Sequence, residues 1–300
     1  MKKKTYLFAL MAMGLTLGSC SDNENGIGGE TSKYITVSTI IDNMTRVVTD
    51  ANGGQTFEEG DEISVYAWIG APTVAPETRE RVVNNAINKL TNGSWVSTPQ
   101  MLWKNNRDKH YFIGVYPVSA ISDLSAGEYT FDETKQVESD LLVAVNKDGL
   151  SYNVDEQQPV PLTFTHVMAK LVVNLTYKNQ WGGIPTVEKV AVGNAAKEAT
   201  INYLTKVVTP STTAKEDFSL PEITENTKYV SVIIPQEDVK QLTIVIGGKN
   251  FVYDNGTPFK LESGKITTIN LEVGRNEIKL GDVKITNWED GSTFSGEALN

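Results

Sequence analysis

From Tyr34 onward, apolar side chains in this chain recur at every second position or in short β-branched runs, and clusters of turn residues interrupt them. That pattern admits strands and little else. A period of two turns one face of an extended chain to a core and the other to water, whereas a helix needs apolar residues three and four apart. The expected strands are Tyr34 to Ile41, Glu62 to Trp68, Lys109 to Tyr116, Asp140 to Val145, Val160 to Tyr177, Val187 to Val192, Val230 to Ile234, Leu242 to Ile246, Phe251 to Tyr253, Lys265 to Val273 and Val283 to Thr286. Gly53-Gly54, Asn92-Gly93, Asp148-Gly149, Gly182-Gly183, Gly247-Gly248 and Asn255-Gly256 supply turn chemistry between them. Only Glu77 to Leu90 fits a short helix. Many short strands with such turns predict an all-β chain in sandwich form, and 300 residues ask for two sandwiches in tandem. Gln157-Gln158-Pro159, a polar run closed by a proline, divides an N-terminal β-sandwich over residues 31–158 from a C-terminal one over 159–300.

The first nineteen residues obey different rules. Three lysines precede an apolar stretch from Tyr6 to Leu17, which is shorter than the ~20 residues that span a bilayer. Leu17-Gly18-Ser19 then leads into Cys20, the one cysteine of the chain. This is a secretory signal peptide over residues 1–19 with a lipoprotein cleavage site, so Cys20 is expected to carry lipid. With two or more acyl chains the anchor is stable. Residues 20–30 bury almost nothing and form a flexible tether. Their serine and acidic residues resemble the signal that sends Bacteroidetes lipoproteins to the outer face of the outer membrane. Removing residues 1–19 takes away three lysines and no acid, so the formal charge moves from −10 to −13. Such a surface repels nucleic acid phosphates and anionic lipid headgroups, which leaves the covalent anchor as the membrane link.

Reaction chemistry is sparse. His110 and His166, the two histidines, both fall inside strand patterns, as half-buried strand histidines do. The chain has no His-Glu-x-x-His, no Gly-x-Ser-x-Gly and no Cys-x-x-Cys, which removes the sequence support for zinc hydrolysis, a nucleophile elbow or structural zinc. The densest carboxylate group is Glu58, Glu59, Asp61 and Glu62 around Gly60. Two carboxylates can serve glycoside hydrolysis and several can hold calcium, but apolar shoulders at Phe57 and Ile63 make this group a solvated turn entering a strand. Trp68, Trp95, Trp103, Trp181 and Trp288 read as core, with a sugar-stacking platform as the other reading. No enzyme, no cofactor and no metal is expected.

Several segments together resemble the fimbrillin, or type V pilin, group of the Bacteroidetes. Thr45-Arg46 followed by Phe57-x-x-Gly60-Asp61-x-Ile63-x-Val65-Tyr66 is similar to its amino-terminal block, and Tyr111-Phe112-x-x-Val115-Tyr116-Pro117 to its aromatic strand. Asp140-Leu141-Leu142-Val143-Ala144 and Phe164-x-His166-x-x-Ala169-Lys170-Leu171-x-Val173 resemble its central block, and Val283-x-Ile285-x-x-Trp288-x-x-Gly291 its closing strand. The resemblance implies two β-sandwich domains of transthyretin-like topology and export as a lipoprotein. It also implies, for stalk subunits, that an arginine-specific protease cuts the early loop, where Arg46 stands. The first strand, with Ile35, Val37, Thr39 and Ile41 alternating onto one face, would then give way to a strand donated by another subunit. The implied function is a structural or adhesive fimbrial subunit, lipid-anchored in the outer membrane at the cell surface or built into a fimbrium. Its partners would be other fimbrial subunits and a surface glycan or protein of host or bacterium. The alternative is a stand-alone glycan-binding surface lipoprotein, which would gather Trp95, Trp103 and Trp181 on one open face.

Overall fold

The computed structural model describes residues 33–41, 57–136, 138–153 and 158–288. Strands dominate these residues. The first eight are β1 (Val37–Ile41), β2 (Glu62–Ile69), β3 (Arg81–Thr91), β4 (Ser94–Thr98), β5 (His110–Tyr116), β6 (Gly127–Thr130), β7 (Leu142–Leu150) and β8 (Val160–His166). All except β6 join one seven-stranded sheet in the order β1-β8-β7-β5-β2-β3-β4. Its pairs are antiparallel apart from β1 with β8, which is parallel. The middle of this sheet is buried on both faces. Ile63, Val65 and Ala67 of β2, Phe112 of β5, and Leu142 and Ala144 of β7 face one apolar cluster, while the intervening Tyr66, Trp68, Ile113, Val115 and Val143 belong to a second, larger one. Strands covered on both sides need apolar residues at successive positions, which is why these segments read as continuous runs.

The remaining strands are β9 (Ala169–Tyr177), β10 (Val187–Ala196), β11 (Glu198–Asn202), β12 (Val207–Pro210), β13 (Lys215–Ser219) and β14 (Glu222–Thr224), then β15 (Lys228–Ile233), β16 (Gln236–Ile246), β17 (Lys249–Leu261), β18 (Lys265–Val273) and β19 (Ile278–Asn287). They form a four-stranded sheet, β13-β10-β16-β17, and a five-stranded sheet, β14-β15-β9-β18-β19. Val190, Val192, Leu242 and Ile244 of the first share the larger cluster with Leu171, Val173, Ile269 and Leu271 of the second, as the inner faces of a sandwich do. The early strand β6 pairs antiparallel with β11 in a three-stranded sheet completed by β12, so part of the first half is built into the second.

Two sequence expectations are corrected by these pairings. The run from Val160 to Tyr177 is not one strand: it divides at Val167-Met168, with β8 in the seven-stranded sheet and β9 in the five-stranded one. Both halves of the run are apolar for the same reason, burial, and composition alone does not register the change of sheet. Glu77 to Leu90 is not a helix. A single 3-10 turn over Thr78–Glu80 is capped by reciprocal Glu77 and Glu80 contacts, and the chain then runs straight into β3. The helix-like spacing comes from a β-bulge. Ala67 faces Val83 but Val65 faces Ala86, so one extra residue intervenes near Asn85, which has positive φ. The inward positions therefore change phase, from Arg81 and Val83 to Ala86 and Asn88, and Val83, Ala86 and Leu90 imitate a three-four repeat.

Candidate functional site

Alternation in the first strand is real: Ile35, Val37 and Ile41 are buried, Thr39 is partly buried, and Thr36, Ser38 and Ile40 face outward. These inward residues close the smaller core, which also contains Met101, Val160, Leu162 and Phe164. What the alternation did not reveal is that the segment touches both ends of the sheet. On one side β1 lies parallel to β8, with Val37 opposite Val160 and Ile41 opposite Phe164. On the other, the residues just before it pair with the chain beyond β4: the Ile35 amide donates to the Met101 carbonyl at 3.0 Å, and the Trp103 amide to the Lys33 carbonyl at 3.1 Å. The sheet therefore curls until its edges meet at Lys33 to Ile35. Beyond that clasp they part.

Along Val37–Ile41 the outer edge of β1 has no strand partner among the described residues, and neither has the outer edge of β4. Between them lies a groove of about 690 Å³, lined by Val37, Thr39, Phe57, Leu90 and Trp95 among others. One side-chain bond crosses it, from the Trp95 indole N–H to the Thr39 hydroxyl at 3.0 Å. The floor is aromatic. Phe57 meets Trp95 edge to face at 5.2 Å and meets Phe164 in the same way at 5.2 Å. Gly114 lets that floor approach the sheet, because a Cβ there would lie 2.6 Å from the Phe164 ring. The arrangement offers an extended chain unpaired backbone groups and an apolar bed.

The first strand is thus held only lightly by its backbone. It is an edge strand, its ladder is parallel and spans five residues, and its clasp is short. Ile35, Val37 and Ile41 together contribute about 5–9 kcal/mol through burial, taking ~1.5–3 kcal/mol for each. That is enough to hold the strand, and it must be matched by whatever replaces it.

Cys20 and Arg46 lie outside the described residues. The acidic group forms a turn: the Glu58 amide bonds the Asp61 carboxylate at 2.8 Å, Glu59 accepts from the Asn92 and Gly93 amides, and Glu62 pairs with Lys89 at 2.9 Å. Among the described residues no group of three His, Cys, Asp or Glu side chains is placed to hold a metal ion. The tryptophans do not gather. Trp95 and Trp103 pack on the smaller core, Trp181 packs on the larger one, and Trp68 and Trp288 are buried. His110 and His166 are buried in β5 and β8 rather than half-buried. Three separated motif segments do converge, however. The His166 ring lies flat on Trp288 at 4.1 Å, its Nδ1 is 2.8 Å from an Asp140 oxygen, and the Lys170 ammonium is 5.5 Å from the Trp288 centroid. Burial lowers the Lys170 ammonium to about 8, while Asp140 pulls the other way. No local pattern announces this cluster, because its members come from four strands or their ends.

The fold and the seam define a class of protein: among the described residues all-β, with a first strand whose segment closes a curled sheet by bridging its two edges, and with backbone pairing as the chemistry on offer. Solved structures of similar fold are known. A candidate cell adhesion protein of Bacteroides ovatus matches with a TM-score of 0.64 at 17% identity, over 85% of this chain and 98% of that one. A second candidate cell adhesion protein, from Bacteroides uniformis, matches with a TM-score of 0.64 at 17% identity, over 86% and 100%. A fimbrial protein of Bacteroides vulgatus gives 0.52 at 13% identity, over 84% and 99%. No curated protein matches the chain in sequence. The sequence profile of the fimbrillin-like family matches residues 45–288, and the chain belongs to that family. Membership supports a fimbrial subunit role at the cell surface or in a fimbrium.

Proposed function

We propose that this protein is a structural or adhesive fimbrial subunit that acts by β-strand exchange and performs no catalysis. The observation that carries the reading is the first strand: buried along one face, yet paired along Val37–Ile41 on only one edge among the described residues and flanked by an open groove. In this reading Cys20 carries the lipid that holds the precursor at the outer membrane. Cleavage at Arg46 cuts the link between that anchor and the body, and the strand bearing Ile35, Val37, Thr39 and Ile41 then yields to one from a neighbouring subunit. Hydrogen bonds nearly balance in such an exchange, so side-chain fit in the bed of Met101, Leu162 and Phe164 decides which strand stays. The test is limited digestion with an arginine-specific protease, followed by sizing. Trimmed protein is expected to form higher oligomers or to accept a strand from a neighbouring fimbrial subunit, Arg46→Ala protein to remain monomeric and membrane-held, and Cys20→Ser protein to leave the membrane fraction. Equal monomer content in trimmed and untrimmed samples, with neighbouring fimbrial subunits present, would overturn the strand-exchange reading.

A further inference from the structure

The closing strand β19 is an edge strand with an uneven hold. It pairs with β18 from Val273 opposite Ile278 to Lys265 opposite Asn287. Its side chains bury little: Ile278 and Leu280 are half-buried at its start, and Val283 and Ile285 remain 39% exposed. The residue that follows is the opposite case. Trp288 is 3% exposed, its amide donates to the Gly264 carbonyl at 3.3 Å, and its ring lies on His166 with an angle of 9° between the planes. His166 is in turn oriented by Asp140 at 2.8 Å. The seat is built where the chain crosses from the seven-stranded to the five-stranded sheet. There the Gly264 amide donates to Met168 at 2.8 Å and the Ser263 hydroxyl to Val167 at 2.9 Å. Gly264, with φ of +65°, sits so close to this crossover that a Cβ would be 3.1 Å from the His166 carbonyl. The far end of β19 is therefore anchored to residues of the other sheet, and the backbone ladder between its two ends is the part of the strand most open to water.

We propose that Trp288, seated on the His166 ring, is a latch that retains β19 in its own subunit, so that the folded subunit accepts a strand but does not donate its closing one. The retention stands on the contacts above; the consequence for assembly rests on the strand-exchange reading. Truncating Trp288 removes the deeply buried aromatic that follows the ladder among the described residues, so fraying should start at Asn287 and run toward Ile278. Hydrogen exchange on the full chain measures this. In Trp288→Ala the amides of residues 282–287 are expected to exchange at least tenfold faster, while those of β10 and β16 keep their protection. Trp288→Phe, which retains a stacking ring, should stay within about threefold of wild type. Trp288→Leu, which fills the seat without a ring face and is the milder change for folding, should fall between. Unchanged protection of β19 in both the alanine and leucine variants would overturn the latch. So would an equal loss across the whole second half, which would make Trp288 an ordinary core residue. For the assembly consequence, trimmed wild-type protein is mixed with untrimmed Trp288→Ala protein and cross-linked. Pairing of β19 with the trimmed partner is expected from the variant and not from untrimmed wild type. A frayed β19 that never pairs, beside trimmed wild type that still takes up a strand from a neighbouring fimbrial subunit, would overturn the donor consequence while leaving strand exchange itself intact.

Discussion

Single residues set the chemistry of the smaller core. His110 is enclosed in β5 against the edge of Trp103 at 5.0 Å, its Nδ1 lies 3.1 Å from the Asp108 carbonyl, and its Nε2 accepts from the Lys104 amide at 3.2 Å. That pattern requires a neutral ring protonated on Nδ1, since a second proton on Nε2 would oppose the Lys104 N–H. Burial holds its pKa below the ordinary 6.5, with the Asp108 carbonyl opposing. As pH falls, the unfolded chain therefore binds this proton before the folded one does, so the contribution of His110 to stability is full above about 6.5 and declines below it. The slope in that window reaches at most about 1.4 kcal/mol per pH unit. His110→Gln is expected to lose this part of the acid sensitivity. The check is the difference between variant and wild-type urea midpoints at pH 7.5 and 5.5, where a constant difference would contradict the assignment.

At the scale of elements, the first strand tests whether burial or backbone pairing holds it. Val37 and Ser38 are neighbours on the same ladder with opposite faces, one buried and one exposed. Val37→Asp places a carboxylate among Val160, Leu162 and Phe164 and is expected to destabilise the seven-stranded sheet by about 3 kcal/mol. Ser38→Asp should stay within about 0.5 kcal/mol. Hydrogen exchange separates local from general effects: Val37→Asp should speed exchange in β1 and β8 and spare β10 and β16. Equal effects of the two changes would mean that the observed face is wrong. The same scale explains the helix expected at Glu77 to Leu90. An amphipathic pattern is read from spacing, and a bulge alters spacing without altering the extended backbone, so the residues of β3 carry the signature of one element and the hydrogen bonds of another.

The whole molecule is joined by its larger core, to which strands from both halves contribute. Two tyrosines on that junction make its cooperativity measurable. Tyr129 of β6 donates to the Ser139 carbonyl at 2.7 Å, Tyr203 follows β11, and burial pushes both phenols well above their usual range. Below about pH 10 both are neutral, folded or unfolded; above it the unfolded chain ionises first, so stability declines as pH rises. A late step in phenolate absorbance is expected to coincide with loss of the β circular dichroism signal. Ionisation of every tyrosine near pH 10 with that signal intact would show the junction to be open to water.

By itself the sequence determined the all-β class, most strand positions and the inward face of the first strand, because a side-chain period of two is a local property that survives without knowledge of partners. It also determined that the acidic group at Glu58 to Glu62 is a turn, since Gly60 and the apolar shoulders already describe one. Tertiary structure decided the rest. Which edges Lys33 to Ile41 joins, where the run from Val160 to Tyr177 changes sheet, and that Asp140, His166, Lys170 and Trp288 meet are all matters of pairing between residues far apart in the chain. Such pairings are chosen by the fit of whole sheets. A strand reads the same whether it lies beside one neighbour or another, so its address is written only in the folded molecule.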